Sequence, residues 1–304
     1  MQSEHQPMAT HGGERLRTAV VGGGAFGTAL AVVLSGAGHQ VLLWTRRDDV
    51  ADAINRRHRH PRRLQELQLP PRLRATTDLH AALAEAQLVV SALPMTALRS
   101  VWARAAAHLM PGSVIVSTTK GIETETLLLP TQVIQQTLRS AVDAGRDAIN
   151  RVSTPVESAH PRSLRVACLS GPSFAAELAQ GLPAAVTVAA DAVETARFVQ
   201  RGMSTNRLRC YACGDVLGTE LAGALKNVIA IASGVAAGLQ LGHNAQAALV
   251  SRGVGGDHAL GGAPWRGSHD IRGIGGSGRF DAHLRGGVVA QSSSGPAPGA
   301  RSSA

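Results

Sequence analysis

Near the start of the chain a short apolar run, Leu16 to Val21, breaks into Gly22-Gly23-Gly24-Ala25-Phe26-Gly27 and resumes as a second apolar stretch, Thr28 to Leu34. That succession reads as strand, glycine turn, helix. Gly22, Gly24 and Gly27 match the G-x-G-x-x-G spacing. The first glycine permits the tight turn, the second lets a pyrophosphate approach the backbone, and the third lets helix and strand pack closely. The phosphates then sit at the positive end of the helix. After Gly36-Ala37-Gly38 the run Gln40-Val41-Leu42-Leu43-Trp44 reads as a second strand. It closes a βαβ unit of about 30 residues, and the pattern predicts dinucleotide binding.

The end of that second strand normally separates the two nicotinamide cofactors. An acid there holds the ribose 2′-hydroxyl of NAD, whereas an arginine accommodates the 2′-phosphate of NADP. Here Trp44-Thr45-Arg46-Arg47 comes first and Asp48 and Asp49 follow. The expected cofactor is therefore NADPH, or NADPH and NADH both, with Arg46 and Arg47 on the adenosine phosphate. The plainer alternative is two ordinary surface arginines.

Further apolar runs at Gln87–Ala92 and Ser113–Ser117 alternate with helical patterns at Leu79–Ala86 and Thr96–His108. This predicts an α/β fold, a doubly wound parallel sheet of Rossmann type covered on both faces. Ligands in such sheets bind beyond the carboxyl ends of the strands. Two polar motifs fall there, Ser91-Ala92-Leu93-Pro94 and Ser117-Thr118-Thr119-Lys120-Gly121. The stretch from about 140 to 163 is polar and reads as an irregular surface insertion. Leu164–Ser170 and Ala184–Ala189 read as two more strands, the first ending in Gly171-Pro172-Ser173-Phe174-Ala175. Beyond Gly214 the pattern is helical from Leu217 to Gly234.

Composition narrows the chemistry. Of 30 basic residues only two are lysine, Lys120 and Lys226. Arginine stays charged, whereas a lysine can give up a proton, so a chain that uses arginine for generic charge keeps lysine where that difference counts. Lys226 lies among Leu225, Val228 and Ile229, a partly desolvated setting suited to proton transfer; a lysine reaching out from a helix edge is the bland alternative. The net charge of +9 is spread along the chain, with 4 Phe, 3 Trp and 1 Tyr in 304 residues, so no stacking platform for nucleic acid is expected. The densest basic cluster, Arg56 to Arg63, reads as a solvated loop face. Cys168, Cys210 and Cys213 lack the partners of a zinc site, and no metal is expected. No run of 18 apolar residues and no signal peptide is read, which makes a cytoplasmic location the expectation.

Taken together, GGGAFGTALA at 22–31, LPPRLRATTDL at 69–79, VVSALP at 89–94, STTKGIE at 117–123, LSGPSFAAELAQGLPAAVTVA at 169–189 and the segment 218–253 resemble the bacterial NAD(P)-dependent glycerol-3-phosphate dehydrogenase family. The resemblance covers about residues 16–253. It implies reduction of dihydroxyacetone phosphate to sn-glycerol 3-phosphate and the reverse, feeding glycerophospholipid synthesis. By that resemblance Phe26, Arg46, Arg47, Lys120 and Ala175 contact the cofactor along with the glycine turn. Lys120, Gly171 and Ser173 contact substrate, and Lys226 is the proton-transferring lysine with Asn227 beside it. Arg63 stands where the family often has an aromatic residue. A homodimer is expected only if the helical domain is intact enough.

Residues 254–304 contain no Lys and no Glu and show no apolar period. The domain organisation expected is thus a disordered segment at 1–15, a dinucleotide-binding domain at 16–213, the start of a truncated all-helical domain at 214–253, and an atypical tail. A slip of reading frame near codon 253 is one explanation for that tail, which the other two frames of the gene test, and a natural flexible tail with its own role is the other. The alternative to an enzyme is a non-catalytic nucleotide-binding remnant.

Overall fold

The computed structural model describes residues 15–150 and 165–260. The expected N-terminal segment up to 14, the part of the insertion from 151 to 163, and the tail beyond 260 lie outside the described residues. Two compact units are distinguished, 1–220 and 221–304.

In the first unit, strands β1 (Arg17–Val21), β2 (Gln40–Trp44), β3 (Arg74–Thr76), β4 (Leu88–Ser91), β5 (Val114–Ser117), β6 (Arg165–Ser170), β7 (Ala184–Ala190) and β8 (Leu208–Cys213) form one sheet. Their spatial order is β3-β2-β1-β4-β5-β6-β7-β8. All neighbours are parallel except β6 and β7, so the doubly wound parallel sheet holds through β6 and then turns back once. Helices α1 (Ala25–Gly36), α2 (Asp48–Arg57), α3 (Leu79–Leu83), α4 (Met95–Ala105), α5 (Pro130–Asn150), α6 (Ala175–Ala179) and α7 (Val193–Met203) connect the strands. α5 continues to Asn150, so the first part of the supposed irregular insertion is helical.

Strand residues alternate between two cores, as a period of two requires when both faces are covered. Val20, Leu43, Val90 and Val116 pack with Leu30 and Leu34 of α1, Ile54 of α2 and Val199 of α7. Ala19, Val21, Val89 and Ile115 pack on the other face with Leu83 of α3, Leu98 and Trp102 of α4 and Ile134 of α5. Each fully buried leucine among them contributes about 2 kcal/mol from removal of apolar surface from water.

The second unit begins within a long helix, α8 (Val216–Gly238), followed by α9 (Gly242–Leu260). Asp215 caps α8, its carboxylate accepting from the Gly218 N–H at 2.8 Å. α9 runs past Gly253, where the family-like pattern was expected to stop. Ile229 and Val250 are buried together with Leu249 against them. Val228, Ile231, Val235 and Leu239 recur at helical spacing and are each more than half exposed. By length and composition α8 is apolar enough to cross a membrane, with mean hydropathy 1.5, a test that core helices of water-soluble proteins also pass.

Candidate functional site at the carboxyl ends of the strands

The sheet order reverses between β1 and β4, and ligands of open α/β sheets bind outside the carboxyl ends of strands at that point. The glycine turn lies there. Gly22 has φ +127°, and a Cβ at that position would collide with the Ala92 carbonyl after β4. A Cβ at Gly27 would run into the Gly22 carbonyl, so the third glycine is what seats α1 against β1. Gly24 is exposed, and a Cβ there would meet nothing within 4 Å. Gly24 is also the N-cap of α1, with no side-chain cap and no acid in the first turn. The first and third glycines are thus closed by protein and the second opens outward beside a helix N-terminus. This arrangement fits the pyrophosphate of a dinucleotide.

The exits of β4 and β5 are fastened to one another beside this turn. Thr118 donates through both its N–H and its hydroxyl to the Ser91 carbonyl, each at 2.9 Å, and the Thr119 hydroxyl donates to the Leu93 carbonyl at 2.8 Å. Lys120 follows directly and is half-buried. Three residues on, Glu123 accepts a forked pair of hydrogen bonds from Arg99, at 3.0 and 2.6 Å. The Arg99 guanidinium, followed by the Thr126 hydroxyl, holds the Glu123 carboxyl below its ordinary range. The lysine therefore sits on a loop tied down at both ends.

Gly171 and Ser173 leave the carboxyl end of β6, where the Ser173 hydroxyl donates to the Gly171 carbonyl at 3.2 Å. A Cβ at Gly171 would lie 3.0 Å from the Ala185 carbonyl oxygen. Ala175 opens α6, which packs against α1, the helix that carries Phe26. Both Phe26 and Ala175 lean on the same core. Arg46 and Arg47 are exposed just past β2. The first unit thus brings the expected residues of the turn, Arg46, Arg47, Lys120, Gly171, Ser173 and Ala175 to one edge of the sheet. Lys226 and Asn227 lie on α8 in the second unit, the lysine half-buried and the asparagine exposed.

Two residues, His60 and Glu220, escape a reading of the sequence. The arginines from 56 to 63 are all exposed, as a solvated face requires, but the segment is also anchored from within: His60 is 3% exposed, and Leu64 and Leu67 just beyond pack on the core. The His60 Nδ1 accepts from the N–H groups of Arg62 and Arg63 at 3.2 and 3.1 Å, so its proton is on Nε2, which donates to the Gly23 carbonyl at 2.9 Å. Arg63, which replaces the family's usual aromatic residue, is exposed and contributes its backbone here. Glu220 is 5% exposed and accepts from Thr131 at the start of α5. Cys210 and Cys213, three apart on β8, point to opposite faces, and burial pushes the Cys210 thiol up to about 12.

Comparison with known proteins agrees with this geometry. Residues 17–145 and 143–196 match the family model for the N-terminus of NAD-dependent glycerol-3-phosphate dehydrogenase, and 215–264 match that for its C-terminus. A glycerol-3-phosphate dehydrogenase [NAD(P)+] of Anaeromyxobacter sp. (strain K) is 44% identical over 239 residues, 79% of this chain and 66% of that protein. The protein of the same name from Desulfovibrio desulfuricans is 40% identical over 265 residues, 87% of this chain and 73% of its own length. The crystal structure of glycerol-3-phosphate dehydrogenase from Coxiella burnetii superposes with a TM-score of 0.70 at 29% identity, covering 90% of this chain and 75% of that one. The chain spans just under two thirds of the length of several curated relatives it matches. Nucleotide turn, strand order and sequence matches lead to one assignment: the chain belongs to the NAD-dependent glycerol-3-phosphate dehydrogenase family.

Proposed function

We propose that the chain catalyses NAD(P)H-dependent reduction of dihydroxyacetone phosphate to sn-glycerol 3-phosphate, and the reverse, in the cytoplasm and as a homodimer, supplying glycerophospholipid synthesis. The observation that carries the reading is the outward-facing Gly24 at the sheet's reversal point, next to the tethered Lys120 loop. A bound NADPH or NADH supplies the hydride. Gly22, Gly24, Phe26, Gly27, Arg46, Arg47, Lys120 and Ala175 hold it. Lys120, Gly171 and Ser173 bind the substrate, whose phosphate calls for fixed positive charge and backbone donors.

Reducing a ketone also requires a proton on its oxygen. Lys226 holds that proton on Nζ, and its positive charge stabilises the negative charge developing on the oxygen. Asn227 lies beside it and contributes an amide donor. Steady-state oxidation of NADPH by dihydroxyacetone phosphate tests the assignment. Lys226→Ala should abolish turnover and leave NADPH affinity within about twofold, since an interaction made only in the transition state is lost from kcat. Undiminished turnover in Lys226→Ala would sink the assigned role.

A second reading, a nucleotide-binding remnant without turnover, is favoured by one observation. Val228, Ile231, Val235 and Leu239 leave an apolar face of α8 uncovered, and such faces are ordinarily packed. Wild-type protein that binds NADPH and never oxidises it would select that reading.

A further inference from the structure

The loop after α2 is built onto the glycine turn in a way that bears on cofactor choice. His58 ends α2 in the left-handed conformation, at φ 50°, and its carbonyl accepts from the Leu69 N–H at 2.8 Å, closing the loop. Inside it, His60 bonds the backbone of Arg62 and Arg63 with one ring nitrogen and the Gly23 carbonyl with the other. Gly23 in turn is wedged against Thr45 at the end of β2, since a Cβ there would lie 2.7 Å from Thr45 Cβ. Glycine turn, β2 exit and arginine loop are therefore one connected piece.

Charge on that piece is arranged unevenly. Asp49 accepts from Arg47 Nε and Nη2 at 2.9 and 3.3 Å, and from Arg62 Nη2 at 2.8 Å. Asp48 accepts from the Thr77 hydroxyl at 2.8 Å. Both acids that follow Arg46 and Arg47 are thus already engaged. Hydrogen bonds from Arg47 and then Arg62 hold the Asp49 carboxyl far below the usual carboxylate range, so it stays ionised and bracketed at any working pH. Arg46, Arg47, Arg62 and Arg63 set four guanidiniums against these two carboxylates, all exposed. Arg62 spends one of its nitrogens on Asp49, and a guanidinium carries five N–H donors.

We propose that Arg62, placed by His60, joins Arg46 and Arg47 in meeting the adenosine 2′-phosphate and so makes this site select NADPH over NADH. The inference rests on the reading that the glycine turn binds a nicotinamide dinucleotide. Arg62 acts in two ways. It screens Asp49, whose charge would repel the phosphate, and it offers further donors to the phosphate oxygens. His60 is the positioning residue, because it fixes the backbone of Arg62 relative to Gly23.

Equilibrium titration of the full chain with NADPH and separately with NADH, followed by nicotinamide fluorescence, tests this without reliance on turnover. Arg62→Ala should raise the NADPH Kd roughly tenfold, the value of one charge-assisted hydrogen bond, and leave the NADH Kd unchanged or lower. Arg104→Ala, an exposed arginine of α4, controls for loss of a charge. His60→Asn keeps an acceptor for the Arg62 and Arg63 N–H groups but is too short for Gly23, and should lower the NADPH to NADH affinity ratio. His60→Gln, long enough to donate to Gly23, should recover part of that ratio, whereas a merely structural role would weaken both cofactors together. Equal weakening of both by Arg62→Ala, or no change, overturns the inference and leaves the dinucleotide reading intact. Wild-type protein that binds neither cofactor removes the reading itself, and the inference with it.

Discussion

Replacing Glu220 by glutamine should relieve an instability that grows with pH. The carboxylate is 5% exposed and caps the start of α5, accepting from the Thr131 N–H at 3.0 Å and the Thr131 hydroxyl at 2.6 Å. Burial disfavours the charged form more than these two bonds favour it, and pushes the carboxyl from an ordinary 4.5 up to about 7. A folded-state value above the unfolded one stabilises the fold fully below pH 4.5, and the contribution is lost as pH rises through about 7. The gap corresponds to about 3 kcal/mol. Glutamine keeps an oxygen for the Thr131 N–H, is close to isosteric, and does not titrate in this range. Urea unfolding followed by the buried Trp102 at intervals between about pH 5 and 9 gives the comparison. Wild type should fall progressively behind Glu220→Gln across this range, by about 3 kcal/mol at the alkaline end. Two curves that stay parallel would refute the reasoning, because the variant and wild type share every other titrating group.

Other perturbations have equally definite outcomes. Gly24→Ala should leave the melting temperature within roughly 2 °C, as φ −79° suits any residue, yet weaken NADPH binding about tenfold by filling the space where the pyrophosphate approaches. Gly22→Ala should instead cost about 2 kcal/mol or more in thermal unfolding, through its positive φ and the collision with Ala92. Leu43→Ala, at a fully buried position of β2, should cost about 2–5 kcal/mol in urea unfolding. His39 is lowered from 6.5 by burial, against a hydrogen bond with Gly202, so the stability it contributes is present above 6.5 and lost as pH falls. Asparagine at position 39, which can still accept from the Leu16 N–H, should flatten the fall in melting temperature below about pH 6.5.

The glycine turn, its flanking strands and the Lys120 loop were legible in the sequence because each is a local pattern: a spacing, an apolar run, a residue type used sparingly. The structure keeps those positions to within a residue or two at their ends. β3, the three-residue Arg-Ala-Thr strand, and β8, Leu-Arg-Cys-Tyr-Ala-Cys, carry too little apolar signal to be read. The antiparallel β6–β7 pair was hidden for another reason. A strand buried on both faces looks the same in either direction, so composition does not report polarity. His60 was lost within a run of arginines, since its partner Gly23 is 37 residues away and nothing nearby announces it. Glu220 and Thr131 meet across 89 residues, and an acid in an apolar helix reads as a surface position until that contact is known. For His60 and Glu220 the missing information was a tertiary partner.

If the proposed function holds, this chain runs the reverse of the dehydrogenation its family is named for. Purified protein incubated with isotopically labelled dihydroxyacetone phosphate and NADPH, with products followed by NMR, tests it most directly. Labelled glycerol 3-phosphate should accumulate in a one-to-one ratio with NADPH consumed. NADPH bound to the protein with no labelled product formed would contradict it.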